Sequence, residues 1–220
     1  MRVALFTRWP EAGKAKTRLI PALSPEGAAN LHRRLTERTV ATVLASGLSC
    51  EVRSTGAAVA AFEEWLAPLF LRRSGEGRNP VPPQTPNVGL ETQLGSGLCR
   101  NDGGITVVDQ GDGDLGERLA RAARDLPVLL IGADCPGLTP AHLRQAAAAL
   151  VGAPAVIGPA EDGGYWLLGL AAPAPVFDGI AWGGPRVFAQ TVARLSAPPV
   201  VLDCLADLDV PADLARWPDL

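Results

Sequence analysis

"LPVLLIGADCP", residues 126–136, narrows the fold of this chain more than any other stretch. Its apolar run is unbroken, so a strand made from it must be covered on both faces, like the central strand of a parallel sheet. The run ends at an acid, Asp134, which cannot belong to the same buried face. The strand therefore carries a carboxylate to its carboxyl end, where open α/β sheets hold their ligands.

The rest of the chain alternates in the same sense. "RVALFT" (2–7), "CEVRST" (50–55), "APAVIGP", "YWLLGL" and "PPVVLDCL" (198–205) read as strands. Residues 24–46, 59–70, 139–152 and 184–195 read as helices, with a helical tail in "PADLARW". Ser24 before Pro25 and Thr139 before Pro140 are helix-start signals. In "GDLGERL", Asp114 and Glu117 have the spacing of a capping box. The expectation is one α/β domain over 1–220, with a mostly parallel central sheet and helices on both faces.

One segment does not fit. Residues 72–104 are rich in Gly, Pro, Asn and Ser and have no apolar period. They are read as an inserted low-complexity loop, expected to be disordered, with a lid as the functional alternative.

Composition excludes several classes. A net charge of −3 argues against a nucleic-acid binder, and no apolar run approaches the length of a membrane span. The opening "MRVALFTRWP" does not read as a signal peptide, and Cys50, Cys99, Cys135 and Cys204 lie far apart with no CxxC pair. A cytoplasmic protein with free thiols is expected, and nothing speaks to its oligomeric state. His32 and His142 both fall inside predicted helices and are taken as surface residues, which weakens a hydrolase reading.

The candidate chemistry lies in four places. "TRWPEAGKAKTRL" gathers Arg8, Lys14, Lys16 and Arg18 between a strand and a helix, with Gly13 to bend the backbone. Lys14 and Lys16 are the only lysines among 20 basic residues, which is read as marking a place for a compact point charge, with chance placement on a solvated loop as the alternative. Such a loop can cradle phosphates, although it is not a Walker A sequence. Asp134 suits Mg²⁺ or Mn²⁺. Asp207 and Asp209 share a side of an extended segment; they either complete that metal site or cap the helical tail. "EDGGY" is a hairpin turn by itself, yet Asp162 can act on an acceptor while Gly163 and Gly164, beside Tyr165, admit a sugar or phosphate. Gly116 and Arg118 are further candidates for lining the site.

Taken in order, "KAKTRLIPALS", "DLGERL", "GADCPGLT", "GPAEDGGYWLLGL", "IAWGG" and "DLDVPADL" resemble the DUF2064 family. That resemblance implies a single Rossmann-like GT-A domain, the nucleotide-diphospho-sugar transferase fold, in a group linked to arsenosugar biosynthesis. The basic loop is also similar to that of 2-phospho-L-lactate guanylyltransferase, and the plan to that of molybdenum-cofactor nucleotidyltransferases. The resemblance implies that Lys14, Lys16 and Arg18 hold a nucleotide's phosphates; Lys16 and Asp162 are the catalytic candidates. It implies that Asp134, with Asp209 and Asp207, holds Mg²⁺ or Mn²⁺, and that Trp182 of "IAWGG" lines the site. Residues 72–104 and the "WGGP" stretch at 182–185 depart from the family pattern. The implied function is transfer from a nucleotide-activated donor to a small-molecule acceptor, first of all from a nucleotide sugar. Nucleotidyl transfer to a small phosphorylated acceptor and a non-catalytic nucleotide-binding role are the alternatives.

Deleting residues 72–104 is expected to leave folding and ligand binding intact. Loss of the circular-dichroism spectrum or of ligand-induced stabilisation in the shortened chain would refute the insertion reading.

Overall fold

The apolar run is a strand, Val128–Ile131, buried along its whole length. In this computed structural model, which describes residues 1–74 and 104–220, it is the fourth strand of seven. The chain order is β1 (Arg2–Phe6), α1 (Ile20–Ser46), β2 (Ser49–Ser54), α2 (Val59–Ser74), β3 (Ile105–Asp109), α3 (Leu115–Ala122) and β4 (Val128–Ile131). It continues with α4 (Pro140–Gly152), β5 (Ala155–Pro159), β6 (Tyr165–Leu170), α5 (Val187–Val192) and β7 (Val200–Val201). A 3₁₀ turn, Pro211–Arg216, replaces the expected helical tail.

The sheet order is β3-β2-β1-β4-β6-β5-β7. Strands β3, β2, β1 and β4 are mutually parallel, whereas β6 runs antiparallel to both β4 and β5. The hairpin turn between β5 and β6 explains this: the chain doubles back directly and inserts β6 next to β4. Alternation along β4 divides the core. Leu129 and Ile131 join Val40, Val43, Phe62, Leu143 and Ala146 beneath α1, α2 and α4. Val128 and Leu130 join Leu119, Ala122, Val176 and Phe177 on the opposite face, with Phe188 and Val192 of α5 packed against them. Helices thus cover both faces, as the unbroken run requires.

The cap signals take effect. Ser24 has φ 65° and interrupts α1, and its Oγ accepts the Gly27 N–H at 3.2 Å, so the regular helix begins at Pro25. The Asp114 and Glu117 side chains accept each other's backbone N–H at 2.9 and 2.8 Å. Thr139 caps α4 reciprocally with His142, whose Nδ1 accepts the Thr139 N–H at 3.2 Å.

Three expectations are corrected. Strand β3 has no counterpart among the expected strands. The strand expected at 198–205 pairs only through Val200 and Val201, because it lies at the sheet edge and then drifts off with single bonds from Leu202 and Leu205. Helix α2 continues through Ser74, past the expected start of the insertion. The rest of that insertion, 75–103, lies outside the described residues. Among the described residues, no helix is long and apolar enough to cross a membrane.

Strand β6 is tightly flanked at Gly169 by side chains of β5, β4 and α4. A Cβ added to Gly169 would lie 2.4 Å from a Val156 methyl and 2.8 Å from a Leu129 methyl. Gly169→Ala is expected to destabilise the chain by about 1–3 kcal/mol through overpacking. Urea unfolding should show a lower midpoint at unchanged slope.

Candidate functional site

The site assembles where β1 and β4 end. The connection after β1 is held at both ends. Thr7 and Trp9 donate backbone N–H groups to Arg53 and Thr55 carbonyls at 3.0 and 2.8 Å. The Trp9 ring packs edge-on against Phe62 and Trp65, with centroids 5.3 and 5.7 Å apart. Ala15 is buried, and Lys16 follows in the left-handed region at φ 48°. That backbone turn sends the Lys16 side chain inward, where only 4% of it remains exposed.

The Lys16 ammonium donates to the Leu208 carbonyl at 2.6 Å. It lies 2.6 Å from Asp134 Oδ1 and 3.6 Å from Asp209 Oδ1. Arg18 takes the other Asp209 oxygen at 2.5 Å. Leu208 donates its N–H to the Asp134 carbonyl at 2.8 Å, so the 207–209 segment is strapped to the end of β4. Asp209 does not cap the tail. Asp213 does that, accepting from the Asp209 and Val210 N–H groups at 2.9 and 2.8 Å, which leaves the Asp209 carboxylate for the two cations. Desolvation pushes the Asp134 carboxyl up, but the adjacent Lys16 charge and hydrogen bond outweigh it and hold the pKa below the ordinary value.

A cavity of about 380 Å³ opens beside this cluster. Asp134, Asp162, Asp207 and Asp209 supply one part of its lining; Phe6, Leu115, Leu119, Tyr165, Trp182 and Val187 supply an apolar part. Gly164 also lines it, and its N–H bonds Asp162 Oδ1 at 2.8 Å. Gly163, at φ +89°, lies under the Pro185 carbonyl, which would be 2.1 Å from an added Cβ. That close approach, with the Phe188 N–H donating to Gly163 O at 2.9 Å, seats the 182–188 loop on the hairpin and brings Trp182 to the cavity wall. Burial pushes the Tyr165 phenol up to about 12.

Other candidates stand apart. Gly13, at φ +78°, turns an open part of the loop, and Lys14 pairs with Glu11 at 3.0 Å in solvent. Arg8 is exposed. Gly116 is a packing contact: an added Cβ would meet the Phe177 carbonyl at 2.8 Å and the Trp182 indole at 3.0 Å. Arg118 is held by Gly113 O and Gln110 Oε1 at 3.0 and 3.3 Å.

His32 corrects the surface reading. It is buried, with Nε2 3.0 Å from the Arg8 carbonyl and 3.2 Å from Thr7 Oγ1. Burial lowers its pKa, so it is a neutral ring that anchors the base of the loop. Gln110 does similar work, donating to Thr7 O and Arg53 O at 2.9 and 2.8 Å. It followed a strand the sequence did not reveal. The Arg216–Glu161 bridge, at 2.6 and 3.0 Å, ties the tail to the hairpin and carries no local sequence signal.

The carboxylates are of the right chemical type for Mg²⁺ or Mn²⁺, but their arrangement does not fit one. The ammonium stands where their oxygens converge, and among the described residues no three acidic, His or Cys groups are grouped to hold an ion. Asp207 is turned aside and accepts the Cys135 S–H at 2.5 Å.

A family model matches residues 85–184, that of DUF2064, described as an uncharacterized protein conserved in bacteria. The match takes in Asp134, Asp162 and Trp182; Lys16 and Asp209 lie outside it, and its start falls within the expected insertion. No curated protein matches the chain. A solved structure of a candidate nucleotide-diphospho-sugar transferase from Desulfovibrio desulfuricans G20 is 24% identical, with a TM-score of 0.76. The alignment covers 99% of this chain and 87% of that one. The chain therefore shares the fold of that structure. Rv0371c from Mycobacterium tuberculosis H37Rv, 17% identical over 98% of this chain and 96% of its own, has a TM-score of 0.46. Its manganese complex, 16% identical over the same shares, has a TM-score of 0.41. Both are too distant to bear on this site.

Desolvation raises the Asp207 carboxyl to about 6, with the Cys135 S–H pulling it down and the neighbouring Asp162 and Asp134 charges adding to the rise. Its contribution to stability is therefore full below the ordinary value of 3.8 and lost as pH rises through about 6. Carboxyl-carbon NMR should find the Asp207 midpoint near 6. Cys135→Ala, which removes the donor, should move it higher; an unmoved midpoint would refute the pairing.

Proposed function

We propose that this chain is a transferase using a nucleotide-activated donor, with glycosyl transfer from a nucleotide sugar as the leading reading. The observation that carries it is the cation–carboxylate cluster of Lys16, Arg18, Asp134 and Asp209 at the ends of β1 and β4, opening onto a divided cavity.

The roles follow from charge. A nucleoside diphosphate leaving group gains negative charge as its bond to the sugar breaks, and fixed cations stabilise that change because they need not reorganise. Lys16 and Arg18, in contact with the cavity-lining Asp134 and Asp209, are the cations assigned to this role, with Arg8 and Lys14 exposed on the same connection. Asp162, exposed at the cavity, is the residue assigned to accept a proton from an acceptor hydroxyl. The apolar wall of Phe6, Leu115, Tyr165 and Trp182 receives the uncharged body of the acceptor. An Mg²⁺ or Mn²⁺ ion bridging Asp134 Oδ1 and Asp209 Oδ1 would have to displace the Lys16 ammonium.

Nucleotidyl transfer is the second reading, favoured by four cations on one strand-to-helix connection, enough for a triphosphate. It ranks behind because its phosphorylated acceptor would enter a cavity lined by four aspartates.

Thermal unfolding of the full chain against panels of nucleotide sugars and nucleoside triphosphates tests this. A donor at a hundred times its dissociation constant should stabilise by about 2.7 kcal/mol. Stabilisation confined to nucleotide sugars supports glycosyl transfer. Stabilisation confined to triphosphates moves the assignment to nucleotidyl transfer, and binding without turnover moves it to a nucleotide-binding protein.

A further inference from the structure

We propose that the Lys16 ammonium is the resident cation of this site and keeps divalent metal ions off Asp134 and Asp209. The side chain is not a loop lysine resting on an acid. It is 4% exposed and meets a carbonyl and a carboxylate, each at 2.6 Å, and a second carboxylate at 3.6 Å. An ammonium has three donors and no acceptor, and it finds oxygens in three directions. Its backbone holds φ 48°; Ser24 is the other non-glycine residue with positive φ among the described residues. Left-handed backbone at a side chain of this kind is retained only where the surroundings demand it.

Charge balance points the same way. Asp134 and Asp209 bring two negative charges; Lys16 and Arg18 bring two positive ones in direct contact. A divalent ion placed between the same oxygens would stand against the ammonium with little water between them, and like charges at such separations repel strongly. The third acid, Asp207, has its own partner in Cys135 and is not offered to the cluster. Arginine would not serve as well as lysine here, because the convergent oxygens need a compact charge and not a planar fork. The placing of a rare lysine in this arginine-rich chain follows from that.

Rested on the transferase reading, the consequence is that donor binding needs no divalent ion: Lys16 keeps the carboxylates neutralised, and the exposed Arg18 and Arg8 meet the diphosphate.

Mn²⁺ binding to the full chain, counted as loss of the free-ion signal in electron paramagnetic resonance, decides the matter without any nucleotide. Lys16→Met should bind Mn²⁺ at least about tenfold more tightly than the wild type, because the competing charge is gone. Lys16→Arg should stay as weak as the wild type. Equal affinity in wild type and Lys16→Met, at whatever strength, would overturn the proposal. Should Lys16→Met not fold, the wild type alone gives the answer: titration with Mg²⁺ should leave the Asp134 and Asp209 carboxyl carbons unshifted, and a saturating shift overturns the proposal. Nucleotide-sugar binding in EDTA and in Mn²⁺ then tests the consequence, where dependence on Mn²⁺ counts against the proposal. Absence of binding in both conditions would count against the transferase reading, while the Mn²⁺ comparison still decides the role of Lys16.

Discussion

The ammonium of Lys16 holds together three distant parts of the chain at one point. It comes from the connection after β1, meets the acid at the end of β4, and caps the carbonyl of Leu208 near the carboxyl terminus. Leu208 is fully buried against Leu19, Leu31 and Leu35, so the same contact that balances charge also seats an apolar strap over α1. Removing the cation would leave two carboxylates facing each other across a partly dry floor, the arrangement that makes buried ion pairs costly to break from one side. Because Asp134 and Asp209 are half open to the cavity, water offsets part of that loss.

The antiparallel β6 gives the cavity its two characters. Strand β5 runs parallel to β4, so the turn at 160–164 lies at the same edge as the carboxyl end of β4, and a crossover from there would have carried the chain off over one face of the sheet. The hairpin instead places Asp162 and Gly164 beside the carboxyl end of β4, with the acids of the 207–209 segment next to them. Gly163 then admits the Pro185 carbonyl, and the loop bearing Trp182 and Val187 closes the apolar wall. An acidic floor and an aromatic wall suit an uncharged acceptor better than a phosphorylated one.

Much of the fold was legible locally. The run at 128–131 demanded two covered faces, and Ser24, Thr139 and the Asp114–Glu117 pair announced helix starts that the backbone adopts. Strand β3 was hidden because its apolar run is only a few residues long and follows a long polar segment rich in Gly, Pro and Asn. His32 was misread because helical spacing gives a face and not what covers it; Thr7 and the Arg8 carbonyl, which cover it, come from another element. Gly116 carried no sign that an indole would lie above it.

The sequence by itself determined that acids end strands, that basic residues crowd one connection, and that a strand-helix alternation must bring these to one edge. Those properties depend on neighbours along the chain: apolar period, cap spacing, glycine where the backbone turns. Only the tertiary structure decided that Lys16 faces the carboxylates, that Asp213 and not Asp209 caps the tail, and that Asp207 pairs with Cys135. Each of those is a choice among partners distant in sequence, settled by which charges lose their water together, and no local pattern encodes it.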